Sequence, residues 1–365
     1  MIKVTSILSY FWNENGNRPS REVLSDRFGR QVKKLRISIT DRCNVRCVYC
    51  MPENPKWKPH EEILTYEDIS LLAGIFVKHL GIEALRITGG EPLLRKDLHV
   101  LIERLALLQS SGLKRLSLCT NGFKLKDFSS HLKEAGLDDV NVSLDSLDPK
   151  KFQELTGRRD LGVVLEGIEE AQKAGLCPKV NAVIIRGRND NEITSLVRWA
   201  RHIKVILRFI EFMPLDGRGY WRPELVVPER EIIDHLKKEF EVIPIERSDS
   251  GPASYYLINE SFQVGVIPTV SNPFCLSCDR IRLAADGRLL NCLFSTEGFN
   301  LKDLLRSGID EGALFSAIKK MVLEKPENFI ALKNTRKNQM KHMPMYALGG
   351  FIKVRDVPQG LGRTA

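Results

Sequence analysis

The sequence predicts an α/β protein, a partial, open (β/α)6 TIM-like barrel followed by a small C-terminal domain. Two observations predict it. From about residue 30, short runs of alternating apolar and polar residues take turns with stretches of helical period, the pattern of parallel strands joined by crossover helices. After about residue 235 this alternation gives way to a helix, a strand pair and a cysteine-rich segment. The expected divisions are a lead at 1–25, the barrel at 26–235, the C-terminal domain at 236–318 and a tail at 319–365. A chain of 365 residues is long enough for one large domain and a smaller appendage.

Barrel strands are expected at 35–40, 84–88, 115–119, 140–144, 179–184 and 206–212. Thr65 can cap a helix carrying Ile69, Leu72, Ala73, Phe76 and Leu80 on one face, and Gly81 closes it. A second stripe runs through Leu98, Leu101, Ile102, Leu105 and Leu108 to Gly112. A third runs through Leu161, Val164, Ile168 and Ala171 to Gly175. Beyond the barrel, Glu231 to Phe240 has helical period, and Tyr255–Ile258 and Phe262–Val266 read as paired strands. This last domain is expected to cover one mouth of the barrel.

Alternate residues of a strand face opposite ways. One face carries Leu35, Ile37 and Ile39, and its equivalents in the following strands are just as apolar. The other carries Arg36, Arg86, Cys119, Asn141, Ser143 and Lys179. An ordinary barrel fills its interior with branched apolar side chains. Here, if the apolar faces meet the helices, the lumen is polar and cationic and is the expected binding site. Thr88-Gly-Gly-Glu-Pro92 and Thr120-Asn-Gly122 follow the second and third strands, at the ends where barrel enzymes bind. The double glycine would let backbone approach a ligand closely.

A net charge of +9 favours an anionic partner. Without a dense block of Lys and Arg, that anion is expected in a pocket and not as nucleic acid. No apolar run approaches the length needed to span a bilayer; Leu71 to Val77 stops at Lys78. The first residues lack a small-residue cleavage site. The expectation is a cytoplasmic enzyme that engages neither membrane nor nucleic acid.

Six of the eight cysteines form two triplets, Cys43, Cys47 and Cys50, then Cys275, Cys278 and Cys292. Cys177, just before Pro178, reads as a small buried apolar side chain. The first triplet, C-x3-C-x2-C, can close on one soft metal centre, because thiolate selects zinc, copper(I) or iron–sulfur iron. Three ligands are one short of a closed site, so the centre either recruits a distant residue or stays open for chemistry. The second triplet is also one short; in a zinc site His342 would be its fourth ligand. Arg280 and Arg282 alternate with Ile281 and Leu283 just past Cys278, which favours an open cluster beside a phosphate-bearing ligand.

C-x3-C-x2-C with Tyr49 before its third cysteine resembles the radical S-adenosylmethionine (SAM) enzymes. Further segments narrow the resemblance to the GTP 3′,8-cyclases of molybdenum cofactor (molybdopterin) biosynthesis. They are Asp26-Arg-Phe-Gly-Arg30, Leu35-Arg-Ile-Ser, Arg86-Ile-Thr-Gly-Gly-Glu-Pro, Asn141-Val-Ser-Leu-Asp, Lys179-Val-Asn, Arg208-Phe-Ile-Glu-Phe-Met213, both triplets and Gly349-Gly350. The resemblance implies a radical SAM lyase with two [4Fe–4S] clusters. One, on Cys43, Cys47 and Cys50, would cleave SAM held near Tyr49, Gly90, Ser143 and Met213. The other, on Cys275, Cys278 and Cys292, would hold the guanine of GTP. The implied GTP contacts are Arg36, Arg86, Cys119, Lys179, Arg280 and Arg282, the last two also catalytic. Implied partners are GTP, a low-potential electron donor, the downstream cyclic pyranopterin monophosphate synthase and, in a homodimer, a second copy. The rivals are another two-cluster radical SAM enzyme, a GTP-inactive paralogue, and a zinc or iron–sulfur scaffold or electron carrier.

The chain departs from the family pattern at three places. Cys119 stands where threonine is usual, Ala84 where lysine is frequent, and residues 351–365 continue past a double glycine that generally ends the chain. The extension either loops out through the open side of the barrel or keeps the tail from inserting.

Overall fold

A computed structural model describes residues 22–328, apart from 217, 247–249 and 296, together with 353–354. Six strands follow one another in chain order, each parallel to the next. They are β1 (Lys34–Ser38), β2 (Ala84–Thr88), β3 (Arg115–Thr120), β4 (Asp139–Ser143), β5 (Lys179–Ile184) and β6 (Ile206–Glu211). The connections carry α1 (Tyr66–Lys78), α2 (Leu98–Ala106), α3 (Leu125–Glu134), α4 (Pro149–Thr156), α5 (Leu161–Lys173) and α6 (Ile193–His202). This is the expected partial barrel, with strand ends within two residues of the sequence pattern.

Local chemistry sets the helix ends. The Thr65 side chain accepts from the Asp68 N–H while Asp68 accepts from the Thr65 N–H, a reciprocal pair at the start of α1. Asp148 accepts from the N–H groups of Lys150 and Lys151, and Pro149 opens α4 without needing a partner. The sequence pattern passes over α3 and α6. Their buried stripes, Leu125, Ser129 and Leu132, then Ile193, Leu196, Val197 and Ala200, lie in otherwise polar segments.

The apolar strand faces meet the helices. Leu35, Ile37, Ile39, Leu85, Ile87, Leu116 and Leu118 are fully buried in one core with Leu72, Phe76, Leu101, Val164 and Ile168. Each large aliphatic side chain buried this way contributes about 1.5–3 kcal/mol. The polar alternates therefore point away from the helix layer.

The strands after residue 235 extend both edges of the barrel sheet. Following α7 (Glu229–Lys237), β9 (Phe262–Ile267) lies parallel to β6, with β8 (Ser254–Ile258) and β7 (Val242–Ile245) antiparallel beyond it. At the other edge β10 (Arg280–Leu283) lies parallel to β1, followed by antiparallel β11 (Arg288–Leu290) and β12 (Glu297–Asn300). Helices α8 (Leu301–Arg306) and α9 (Glu311–Leu323) come next. From the C-terminal extension, β13 (Lys353–Val354) pairs in parallel with β12. Cys177, expected to be buried, is exposed, because it falls in the short connection between α5 and β5 and not on a packed face. His342, Gly349 and Gly350 lie outside the described residues.

Candidate active site

The first cysteine loop leaves the C-terminal end of β1 and is held from both sides. Gly90 N–H donates to the Thr40 carbonyl and Glu91 N–H to that of Arg42, each at 2.7 Å. Opposite, Arg46 N–H reaches the Thr156 carbonyl at 2.9 Å and Val48 N–H that of Leu155 at 3.0 Å. The double glycine serves this contact with the entry to the cysteine loop. A Cβ at Gly90 would lie 2.1 Å from the Arg42 oxygen, and one at Gly89 2.5 Å from that of Thr40. Glu91, which is buried, accepts from Leu93 N–H, Thr120 Oγ1–H and Asn121 N–H, so it joins the loop after β2 to the loop after β3. Burial pushes its carboxyl up to about 7.

Cys43, Cys47 and Cys50 are half-buried. Burial pushes the Cys43 thiol up to about 11, and burial followed by Asp145, Cys50 and Cys43 raises that of Cys47. Burial therefore disfavours free thiolates at this trio, a cost that a bound cationic centre would offset. Asn121 Nδ2 approaches Cys43 Sγ at 3.8 Å. Buried Tyr49 donates its hydroxyl to Asp145 Oδ2 at 2.6 Å, and Asp145 Oδ1 accepts from Val183 N–H at 2.8 Å. Tyr49 is thus tied to β4 and β5. Gly90 lies past the end of β2, Ser143 ends β4 and Met213 lies two residues past β6, so these share the cysteine loop's end of the sheet.

Inside the sheet the predicted cations fall into register. Arg36 is level with Arg86 on β2 and with Arg282 on β10, and Lys34 is level with Arg280. Cys119 and Lys179 are level with Asn141 from either side. Burial, then Arg282 and Arg86, hold the Arg36 guanidinium well below its ordinary proton affinity. Burial likewise lowers Lys179, although Asp139 stands 3.4 Å from its Nζ. Crowded like charges of this kind favour an anion between them. Ala84 lies in this array between Lys34 and Arg115, which leaves its level one cation short.

Sequence reading passed over several residues that organise the chamber. Buried Arg208 donates to Asn181 Oδ1 at 3.0 Å and to Asn141 Oδ1, and burial and Arg86 lower its proton affinity. Asp139 gathers Arg115 and Lys179. The signal was available, since Arg208 occupies a polar alternate of its strand, as Asn141, already assigned to the polar face, does of its own.

The second trio sits at the opposite end. Cys275 lies in a short turn, Phe274–Ser277, Cys278 precedes β10 by two residues and Cys292 follows β11 by two. Arg30 clamps this segment, donating to the Cys275 carbonyl at 2.6 Å and to those of Pro326 and Glu327. Buried Lys325 donates from Nζ to the carbonyls of Arg280 and Asn291. Burial opposes ionisation of Cys278, but Lys325, Arg280 and Arg282 outweigh it and lower the thiol. Arg280 stacks on Phe274 and donates to the Ser250 carbonyl at 2.9 Å, whereas Arg282 is held by burial below its ordinary value despite Cys292 and Cys278.

Known proteins resemble this chain over most of its length. The profile of the Radical SAM superfamily matches residues 37–200, and that of Molybdenum Cofactor Synthesis C matches 205–330. A GTP 3′,8-cyclase of Thermodesulfovibrio yellowstonii is 44% identical over 83% of this chain and 95% of its own. One from Streptomyces coelicolor is 46% identical over 80% and 87%. Among solved structures, Streptococcus suis SuiB bound to S-adenosylmethionine superposes with a TM-score of 0.53 at 15% identity, over 80% of this chain and 67% of its own, a likeness of fold. With such identity spread along nearly all of the relatives' length, the chain belongs to the GTP 3′,8-cyclase family of radical SAM enzymes.

Proposed function

We propose that this chain cyclises GTP to 3′,8-cyclo-7,8-dihydro-GTP, the first step of molybdenum cofactor biosynthesis, using an iron–sulfur cluster on each cysteine trio. One observation carries the reading. Because β1 and β10 are adjacent and parallel, a trio beyond the end of β1 and a trio before the start of β10 lie at opposite ends of one cationic chamber. The four residue steps from Lys34 to Ser38 separate those levels by roughly 13 Å, room for a nucleotide between them.

Each donor set fits a cluster, three thiols lacking a fourth. Among the described residues no three Cys, His, Asp or Glu groups converge on a position for a single metal ion. A polynuclear cluster removes that requirement, because each cysteine takes its own iron. When bound, the first cluster would supply the electron that cleaves SAM. Around it Tyr49, Gly90, Ser143 and Met213 would position SAM. Arg36, Arg86, Lys179, Arg280 and Arg282 would bind the triphosphate and hold the ribose and guanine in one conformer, which is the proximity contribution. Cys119 would offer only a weak thiol hydrogen bond. Among the described residues no helix is long and apolar enough to cross a membrane, which agrees with a cytoplasmic enzyme. A low-potential electron donor would feed it and the cyclic pyranopterin monophosphate synthase would take its product.

The test is an anaerobic assay of the iron-reconstituted chain with SAM, dithionite and GTP deuterated at the ribose 3′ position. Deuterium arriving in 5′-deoxyadenosine supports the reading; SAM cleavage that leaves the label in GTP overturns it.

A further inference from the structure

We infer that an arginine-lined hollow over the outer side of the first cysteine loop is the docking site for a small acidic protein that carries a single-electron centre. The inference rests on the first trio holding a redox cluster, and it addresses where the electron enters.

The hollow, about 610 Å³, is lined by Val48, Arg188, Arg218, Tyr220, Arg222 and Glu224 among others. Three guanidiniums and one carboxylate line it, and of the three Arg218 is paired with Glu53 at 3.4 Å, so Arg188 and Arg222 carry the basic rim. Arg188 and Arg222 are exposed, and Arg188 lies over the Tyr220 ring at 5.7 Å. The hollow is bound rigidly to the cysteine loop, since Arg218 donates to the carbonyls of Met51 and Arg46, both at 3.1 Å. Val48, Tyr220 and Trp221 pack in the same small apolar cluster as Cys47, Cys50 and Tyr49. Electron transfer weakens steeply with distance, and the packing of Val48, Tyr220 and Trp221 with Cys47 and Cys50 gives a contact route from the hollow to this trio. The chamber side is unsuited to a protein partner, being occupied by cations that need the substrate anion. A basic rim on an apolar, aromatic floor instead suits an acidic partner that approaches by long-range attraction and seats its redox centre close to the loop. The transfer is one electron from the carrier, oxidised in the step, to the cluster, reduced in it.

The experiment uses the full, iron-reconstituted chain and its Arg188→Glu/Arg222→Glu double variant, with flavodoxin as the acidic probe and cytochrome c as a basic control. Binding is read by titration at about 50 mM and about 300 mM salt, and SAM cleavage is driven separately by reduced flavodoxin and by dithionite. The expected result is salt-sensitive flavodoxin binding, at least tenfold weaker in the variant, with no affinity for cytochrome c. Flavodoxin-driven cleavage should fall in step, and dithionite-driven cleavage should stay within about twofold. Equal flavodoxin affinity in both chains would overturn the docking site, as would an equal loss with dithionite. Flavodoxin binding as expected with no SAM cleavage by either reductant would overturn the cluster reading instead.

Discussion

Arg36 and Arg282 stand level with each other on adjacent parallel strands, although they are 246 positions apart in the sequence. The pairing places the strand that follows Cys278 beside the strand that precedes Cys43. It also explains why burial is joined by Arg282 as a cause of the lowered proton affinity of Arg36. Replacing Arg282 with Ala should weaken GTP binding about tenfold to a hundredfold, the loss of one charge-assisted hydrogen bond worth about 1.5–3 kcal/mol. SAM cleavage without GTP should persist. Equilibrium binding of GTP beside a 5′-deoxyadenosine assay checks both, and unchanged GTP affinity would refute the phosphate role.

Gly90→Ala should damage the first trio by way of backbone. Its Cβ would meet the Arg42 oxygen at 2.1 Å, and a carbonyl has no flexible side chain to swing aside. The loop must shift, carrying Cys43 with it. Iron content after reconstitution should fall by about half, with the second trio still loaded. Full iron loading would show that the contact is dispensable.

Much of this was legible in the sequence because a strand's period of two sorts residues without knowledge of the partner strand. Arg36, Arg86, Cys119 and Lys179 could be assigned to one face from alternation with Leu35, Leu85, Leu118 and Val180 alone. Adjacency was not legible. Nothing local announces that β10 joins β1 or that β9 joins β6, because such pairings depend on chain closure over long separations. Nor could Arg30 and Lys325 be recognised as clamps, since their partners are backbone carbonyls that any residue supplies. Nor was the contact of the double glycine with the entry to the cysteine loop legible, since the atoms it meets are chiefly backbone of Thr40, Asp41 and Arg42.

Glu91 should make stability depend on pH. Its folded carboxyl is raised by burial to about 7, against an ordinary 4.5. Between these values the folded chain keeps a proton that the unfolded chain has released, so stability falls as pH rises through the window, by about 3 kcal/mol. Glu91→Gln should be less stable overall, because an amide donor would face the Asn121 N–H, yet lack this slope. Urea unfolding of the iron-free chains at pH 5 and pH 7.5 compares them. Parallel pH profiles would sink the assignment.

Lys325→Met should separate the two trios functionally. Lys325 lies in α9's exit, with its ammonium buried and bonded to the carbonyls of Arg280, two residues after Cys278, and Asn291, one before Cys292. It therefore holds the β10 and β11 sides of the second trio together and lowers the Cys278 thiol. Methionine fills similar space but removes the ammonium donor from a buried carbonyl, Arg280, and a half-buried one, Asn291, at about 1–3 kcal/mol for the buried one. The unfolding midpoint should drop accordingly. Cys278 should alkylate more slowly in the iron-free chain, since its thiolate loses the nearest cation. The first trio is at the other end of the chamber, so uncoupled SAM cleavage should survive while GTP turnover fails. If GTP turnover persisted with Cys278 reactivity unchanged, Lys325 would be a packing residue alone.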